Sequence, residues 1–153
     1  MSKTSFSQLK EFFDRDVCQR ATKPLRDGIQ ISIQVQNEET LTLSKNHGRT
    51  TILTETAAKP DMTFFLGKKA IPELVATQSE DIGEIGVAIL KLMAQSNPDY
   101  KIKAKVHIGL FDLLRNGYLG VLPLGGGTVA KFLASKGFNG IGKIKEGISH
   151  LRE

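Results

Sequence analysis

The chain is poor in several things, and each shortage removes a class of function. One cysteine in 153 residues, Cys18, excludes an intramolecular disulfide. Tryptophan is absent, and beside the lysines at 101, 103 and 105 only Tyr100 offers the stacking surface that nucleic-acid binders interleave with basic residues. The opening Met1–Phe13 lacks the long apolar core of a secretory signal, and the final Leu151-Arg152-Glu153 is not a peroxisomal address. The longest stretch without charge, Asn116–Ala130, is too short to span a bilayer and contains Pro123 and five glycines. The three histidines, His47, His107 and His150, have no second ligand at metal-binding spacing. The carboxylate pairs Asp14/Asp16 and Glu38/Glu39 read as surface charge on a helix and in a turn. Such neighbours do not converge on one reacting atom. No Ser–His–Asp arrangement is visible. Cys18 sits on a helical segment without an evident basic activator and reads as a packed thiol. The chain is therefore expected to be a non-enzyme with no metal or cofactor. A soluble cytoplasmic protein is the plain reading, and the length suits one domain with a core of its own.

What is abundant is unevenly spread. Residues 100–153 hold nine Lys/Arg against three acids, whereas residues 1–99 hold twelve against thirteen. Ten of the fifteen glycines follow residue 108. A basic, glycine-laced and oily segment suits a place where an apolar phase and negative charge meet.

The hydrophobic spacing predicts the elements. Phe6, Leu9, Phe13 and Val17, with Phe12 alongside, predict one amphipathic helix over 5–21, capped by Ser5 or Ser7. Ile29, Ile31, Ile33 and Val35 alternate with Gln30, Ser32, Gln34 and Gln36. After the turn Asn37-Glu38-Glu39, Leu41 and Leu43 alternate with Thr40, Thr42 and Ser44. A hairpin with one buried and one wet face follows. A third strand is expected over 50–56 and a fourth at Met62–Leu66. A short helix follows around 71–77, starting near Pro72. The next helix, 82–95, is apolar nearly all round, so it is either deeply buried or faces a greasy cavity.

Residues 100–108 form the clearest strand. Ile102, Ala104, Val106 and Ile108 face one way; Lys101, Lys103, Lys105 and His107 face the other, a solvated row. Leu110–Arg115 reads as a short helix ended by Asn116-Gly117. An apolar loop is expected over 118–127 and a helix over 128–135, with Val129, Phe132 and Leu133 on one face. A last amphipathic helix carries Ile141, Ile144, Ile148 and Leu151. Gly142 and Gly147 weaken it by about 1 kcal/mol each relative to alanine. Strands grouped ahead of helices predict an α+β domain. Its five-stranded, mostly antiparallel sheet would be covered on one face by helices.

Two glycine-rich stretches invite a phosphate reading. Gly137–Lys143 has P-loop spacing up to its lysine, but Ile144 stands where Mg²⁺ coordination needs Ser or Thr, and a helix rather than a strand precedes it. Gly125-Gly126-Gly127 could offer backbone N–H groups to an anion; a turn capped by Thr128 is the simpler reading.

The order of elements resembles the sterol carrier protein family, the sterol-carrier-type lipid-binding domain. Three places carry the resemblance: the first helix followed by Ile29–Leu43; Lys59-Pro60-Asp61-Met62-Thr63-Phe64-Phe65-Leu66, similar to the family's Asp-led fourth strand; and Tyr100-Lys101-Ile102-Lys103-Ala104-Lys105, similar to its lysine-alternating fifth strand. The resemblance spans most of the chain. It implies a sheet covered by helices around an apolar tunnel, and binding or transfer of a fatty acid, fatty acyl-coenzyme A or sterol-like lipid without catalysis. One wall would be Ile33, Phe64, Leu66, Ile102 and Val106; the other Ile85, Ile89, Leu92, Phe132 and Leu133. Lysines near the mouth would meet a ligand head group or, transiently, an anionic membrane. Two rival readings remain open. One is an interaction module docking on a partner protein or an anionic membrane through a basic amphipathic tail, 137–153. The other is a nucleic-acid binder using the lysine strand, disfavoured because only Tyr100 is available for stacking.

Overall fold

The computed structural model describes residues 4–137 and 140–152. The expected first helix is two: α1, Ser5–Asp14, and α2, Asp16–Ala21. The cap of α1 is neither Ser5 nor Ser7 but Thr4, whose hydroxyl accepts from the Ser7 N–H at 3.1 Å. Arg15 breaks the helix with an extended ψ of 144°, and a distant partner supplies the reason. Its guanidinium donates to the carbonyls of Val75 (2.6 Å) and Thr77 (2.9 Å) at the end of a later helix. The same group lies 5.3 Å from the centre of the Phe12 ring. Phe12, rather than Phe13, is the ring driven fully into the core beside Leu9, Val17 and Cys18.

Five strands form one sheet in the order β3-β2-β1-β4-β5. They are β1 Gln30–Val35, β2 Thr40–Asn46, β3 Arg49–Leu53, β4 Met62–Leu66 and β5 Ile102–Val106. The β1–β2, β2–β3 and β4–β5 pairings are antiparallel; β1–β4 is parallel. The sheet is thus mixed and mostly antiparallel, and with its helices the fold is α+β, the architecture that the sterol-carrier resemblance implies. His47 (φ 53°) and Gly48 (φ 75°) make the tight β2–β3 turn, whose two positive φ angles suit the twist of a hairpin.

Register aligns the apolar residues in rows across the sheet. Ile52, Leu43, Ile31, Met62 and Val106 form one; Leu41, Ile33, Phe64 and Ala104 another; Val35, Leu66 and Ile102 a third. The opposite face is not wet throughout, as the alternation suggested. Its Ser32, Thr42, Ser44 and Thr63 are buried. These side chains are short, and the hydroxyls of Thr42, Ser44 and Thr63 have partners within the protein. Thr42 donates to the Glu55 carbonyl, and Thr63 shares a 2.7 Å hydrogen bond with His107 Nε2.

The remaining helices are α3 Ala70–Ala76, α4 Ile82–Met93, α5 Leu110–Arg115, α6 Gly126–Ser135 and α7 Gly140–Arg152. Helix α3 begins two residues before Pro72. The Asp81 carboxylate caps α4 by accepting from the Gly83 N–H at 2.9 Å. The expected apolar loop after α5 contains two 3-10 turns, Tyr118–Gly120 and Leu122–Gly125. Helix α6 starts at Gly126, so Thr128 lies inside it and is not its cap.

Cations close several helix ends. Carbonyls at a helix C-terminus lack partners and carry partial negative charge. Arg15 serves α3. Lys45, only 5 % exposed, donates from Nζ to the carbonyls of Thr22, Lys23 and Leu25 at 2.7–3.1 Å, just past α2. Lys101 donates to Met93 and Gln95 past α4. Lys101 therefore does not belong to the solvated row; strand β5 begins one residue later, and of the three lysines only Lys103 and Lys105 face outward, exposed.

Candidate functional site

The apolar face of β1, β4 and β5 brings the five strand candidates together. Phe64 is directly opposite Ile33, Leu66 opposite Ile102, and Val106 one row away, opposite Met62. Ile33, Leu66, Ile102 and Val106 are buried, while Phe64 is half-buried at the edge of the cluster. Helix α4, which packs against β5, α2 and α3, supplies Ile85 and Leu92, both buried, and Ile89, half-buried against the same cluster. These three recur at helical spacing and share one face of α4. Eight of the ten candidates therefore belong to one continuous apolar layer. Phe132 and Leu133 do not join it. They lie half-buried on α6, which packs on α4 rather than on the sheet.

The α4–α6 crossing is close for a reason that the hydrophobic stripe of α4 does not reveal. A Cβ at Gly83 would lie 2.6 Å from the Gly125 carbonyl oxygen, and one at Gly86 would lie 3.1 Å from a Val129 methyl. Two glycines three apart in an otherwise apolar helix are the sequence signal for such an approach. Val129 fills the contact and is the buried residue of α6. The rest of α4 is less enclosed than its composition suggested: Val87, Ile89 and Leu90 are only half-buried. Helix α4 thus has an apolar flank that is only partly covered by its neighbours.

None of the ten candidates lines either of two depressions formed by described residues. One, about 480 Å³, is bordered by Phe6, Ser7, Lys10, Glu11, Asp14 and Arg15 on the α1 side. The other, about 350 Å³, lies at one end of the sheet and is lined by Arg26, Asp27, Gly28, Ile29, Gln30, Lys59, Asp61, Arg115 and Asn116. Asp61, just before β4, anchors the polar core of this second region. One of its carboxylate oxygens accepts from Asn116 Nδ2 at 3.0 Å and from the Tyr118 hydroxyl at 2.8 Å. Burial pushes the Tyr118 phenol well above its ordinary range, and the hydrogen bond and charge of Asp61 push the same way. Between these residues Gly117 holds φ at +89°, and a Cβ there would fall within 1.9 Å of the Pro24 carbonyl oxygen. The chain leaving α5 is thus pinned to the start of β4 and to the segment after α2.

Other expected groups have structural occupations. Cys18 is buried, and that burial raises its thiol to about 11, partly opposed by the Arg15 charge. His107 bonds Thr63, and His47 sits in the β2–β3 turn. Among the described residues no group of three or more His, Cys, Asp or Glu could hold a metal ion. Phe138 and Asn139, inside the P-loop-like stretch, lie outside the described residues; the stretch from Gly140 is the first turn of α7. Among the described residues, no helix is long and apolar enough to cross a membrane.

No protein-family model matches the chain, and no curated protein matches it. Among solved structures, the chain is similar to one titled "UbiJ-SCP2 Ubiquinone synthesis protein". The two are 17% identical, with 78% of this chain and 90% of the other covered and a TM-score of 0.40. At that score the likeness carries no argument about function.

Proposed function

We propose that the chain is a non-catalytic lipid carrier of the sterol-carrier type, acting in the cytoplasm as one domain over 1–153. The cargo would be a fatty acid, a fatty acyl-coenzyme A or a sterol-like lipid. It would lie between the apolar sheet face (Ile33, Phe64, Leu66, Ile102, Val106) and the helical layer (Ile85, Ile89, Leu92), with Phe132 and Leu133 of α6 as its outer cover. The observation that carries this reading is the apolar layer that continues out of the core through Phe64 and Ile89. Each buried CH₂ of a ligand contributes about 0.8 kcal/mol, so ten give roughly 8 kcal/mol before ordering costs. A free, buried Cys18 suits a reducing compartment.

The reading of the C-terminal region as a free docking tail has less support. Helix α7 packs against β5, with Ile148 and Leu151 partly buried on the core. The nucleic-acid reading is weakened by the engagement of Lys101 at the end of α4.

Native mass spectrometry of the purified protein, followed by titration with a fluorescent fatty acid, tests the proposal. Co-purified lipid, or saturable loading that Ile89→Asp weakens by tenfold or more while folding is kept, supports it. A protein that is empty and refuses every cargo class sinks it.

A further inference from the structure

Helix α5 is apolar on its outer side as well as its inner one. Leu113 is 2 % exposed and anchors the helix, yet Phe111 is 74 % exposed and Leu114 is 63 % exposed. Arg115 is four residues from Phe111, so these three outward side chains share about one-third of the helix circumference. A lone exposed apolar residue is ordinary; a bulky pair beside a group of cations marks an interaction surface. Arg115 also lines the 350 Å³ depression, together with Arg26 and Lys59. None of these three side chains makes a hydrogen bond or ion pair among the described residues. The acids nearby are Asp61, held by Asn116 and Tyr118; Asp27, which accepts from the Gly48 N–H; and Asp112, exposed on the flank of α5.

We infer that this face docks the protein on an anionic lipid bilayer. Phe111 and Leu114 enter the boundary between head groups and acyl chains, while Arg115, Arg26 and Lys59 take up lipid phosphates. Charge complementarity selects this occupant. The side chains of Arg26, Lys59 and Arg115 are exposed around one depression and have no partner among the described residues, whereas Asp61 and Asp27 beside them accept hydrogen bonds from within the protein. Apolar side chains beside cations suit a bilayer surface, which offers hydrocarbon and negative charge within a few ångströms. The inference rests on the lipid-carrier reading for its purpose only, because docking is measured without cargo.

The absence of tryptophan makes a clean reporter possible. Full-length Phe111→Trp is mixed with vesicles of phosphatidylcholine alone, or with one-third phosphatidylserine. A blue-shifted emission with the anionic vesicles only, reversed by salt, is expected. In co-sedimentation, each cation near an anionic surface strengthens binding roughly fivefold, so R26Q/K59Q/R115Q lowers partitioning by roughly 100-fold. F111S/L114S lowers it at least tenfold; all five positions are exposed, and the thermal transition should stay unchanged. Vesicle binding that survives both multiple variants overturns the inference, as does no vesicle binding at all. A dimer in light scattering that F111S/L114S dissolves, without vesicle binding, overturns it in favour of self-association. Vesicle binding by a protein that refuses every cargo class leaves docking standing and removes the carrier; loading without vesicle binding does the reverse.

Discussion

The sheet with α1–α4 and the region from α5 onward use the same two ingredients, oil and positive charge, in opposite ways. In the first, Phe12, Leu41, Ile52 and Ile71 are almost wholly buried, and Arg15, Lys45 and Lys101 each donate to carbonyls at a helix end. In the second, Phe111 and Leu114 stand in water, Arg115 has no partner among the described residues, and Lys131 and Lys136 are exposed. Arg15, Lys45 and Lys101 complete the fold. Arg115, together with Arg26 and Lys59 at the border of the first region, is left over from folding, and left-over charge beside left-over oil is available to bind.

The largest contrast is between two phenylalanines. Phe12→Ala should cost about 4 kcal/mol in urea unfolding, the range for deleting a fully buried ring. Phe111→Ala should change stability by less than about 0.5 kcal/mol. Equal costs would erase the distinction between the regions. The next contrast is between two cations. Lys45→Met strips three carbonyls of their donor and should cost about 3 kcal/mol. Arg115→Gln should leave the melting curve in place. A neutral Lys45→Met would show that those carbonyls find other partners.

The smallest effect sharpens the boundary between the regions, where Tyr118 ties α5 to β4. Its phenol is raised in the folded state, chiefly by burial, so it favours folding while neutral. That contribution is full below about pH 10 and is lost as pH rises further. Cys18 acts in the same direction from pH 9 towards 11. Stability should therefore fall on the alkaline side. Tyr118→Phe should cost about 1 kcal/mol at neutral pH, the worth of one hydrogen bond, and flatten the steepest part of the alkaline limb. Denaturant midpoints from pH 7 to 11 measure both; an identical limb in the variant would show that Tyr118 does not carry it.

Much of this architecture is legible locally. The alternation in Gln30–Val35 and Met62–Leu66 marks strands because side chains on a strand alternate faces, and the charge imbalance of the C-terminal third is plain in the chain itself. The candidate site is legible to the extent that its residues follow those periods. Eight of ten share one layer because they sit on the apolar sides of β1, β4, β5 and α4. Phe132 and Leu133 follow a period too, but periodicity says which side of α6 is apolar, not which neighbour that side meets. The break at Arg15 was hidden because its reason lies about sixty residues downstream in the carbonyls of Val75 and Thr77. Lys101 looked like one more outward lysine because its partners belong to another element.

Sequence alone determined the element types, the apolar faces and the uneven charge, since each depends on neighbours within a few residues. Only the tertiary structure decided which cations are engaged and which are free. It also decided that Gly83 and Gly86 admit α6, that Asp61 gathers Asn116 and Tyr118 from more than fifty residues away, and that Phe111 and Leu114 stay outside. Those outcomes depend on distances between remote segments, which no local period encodes.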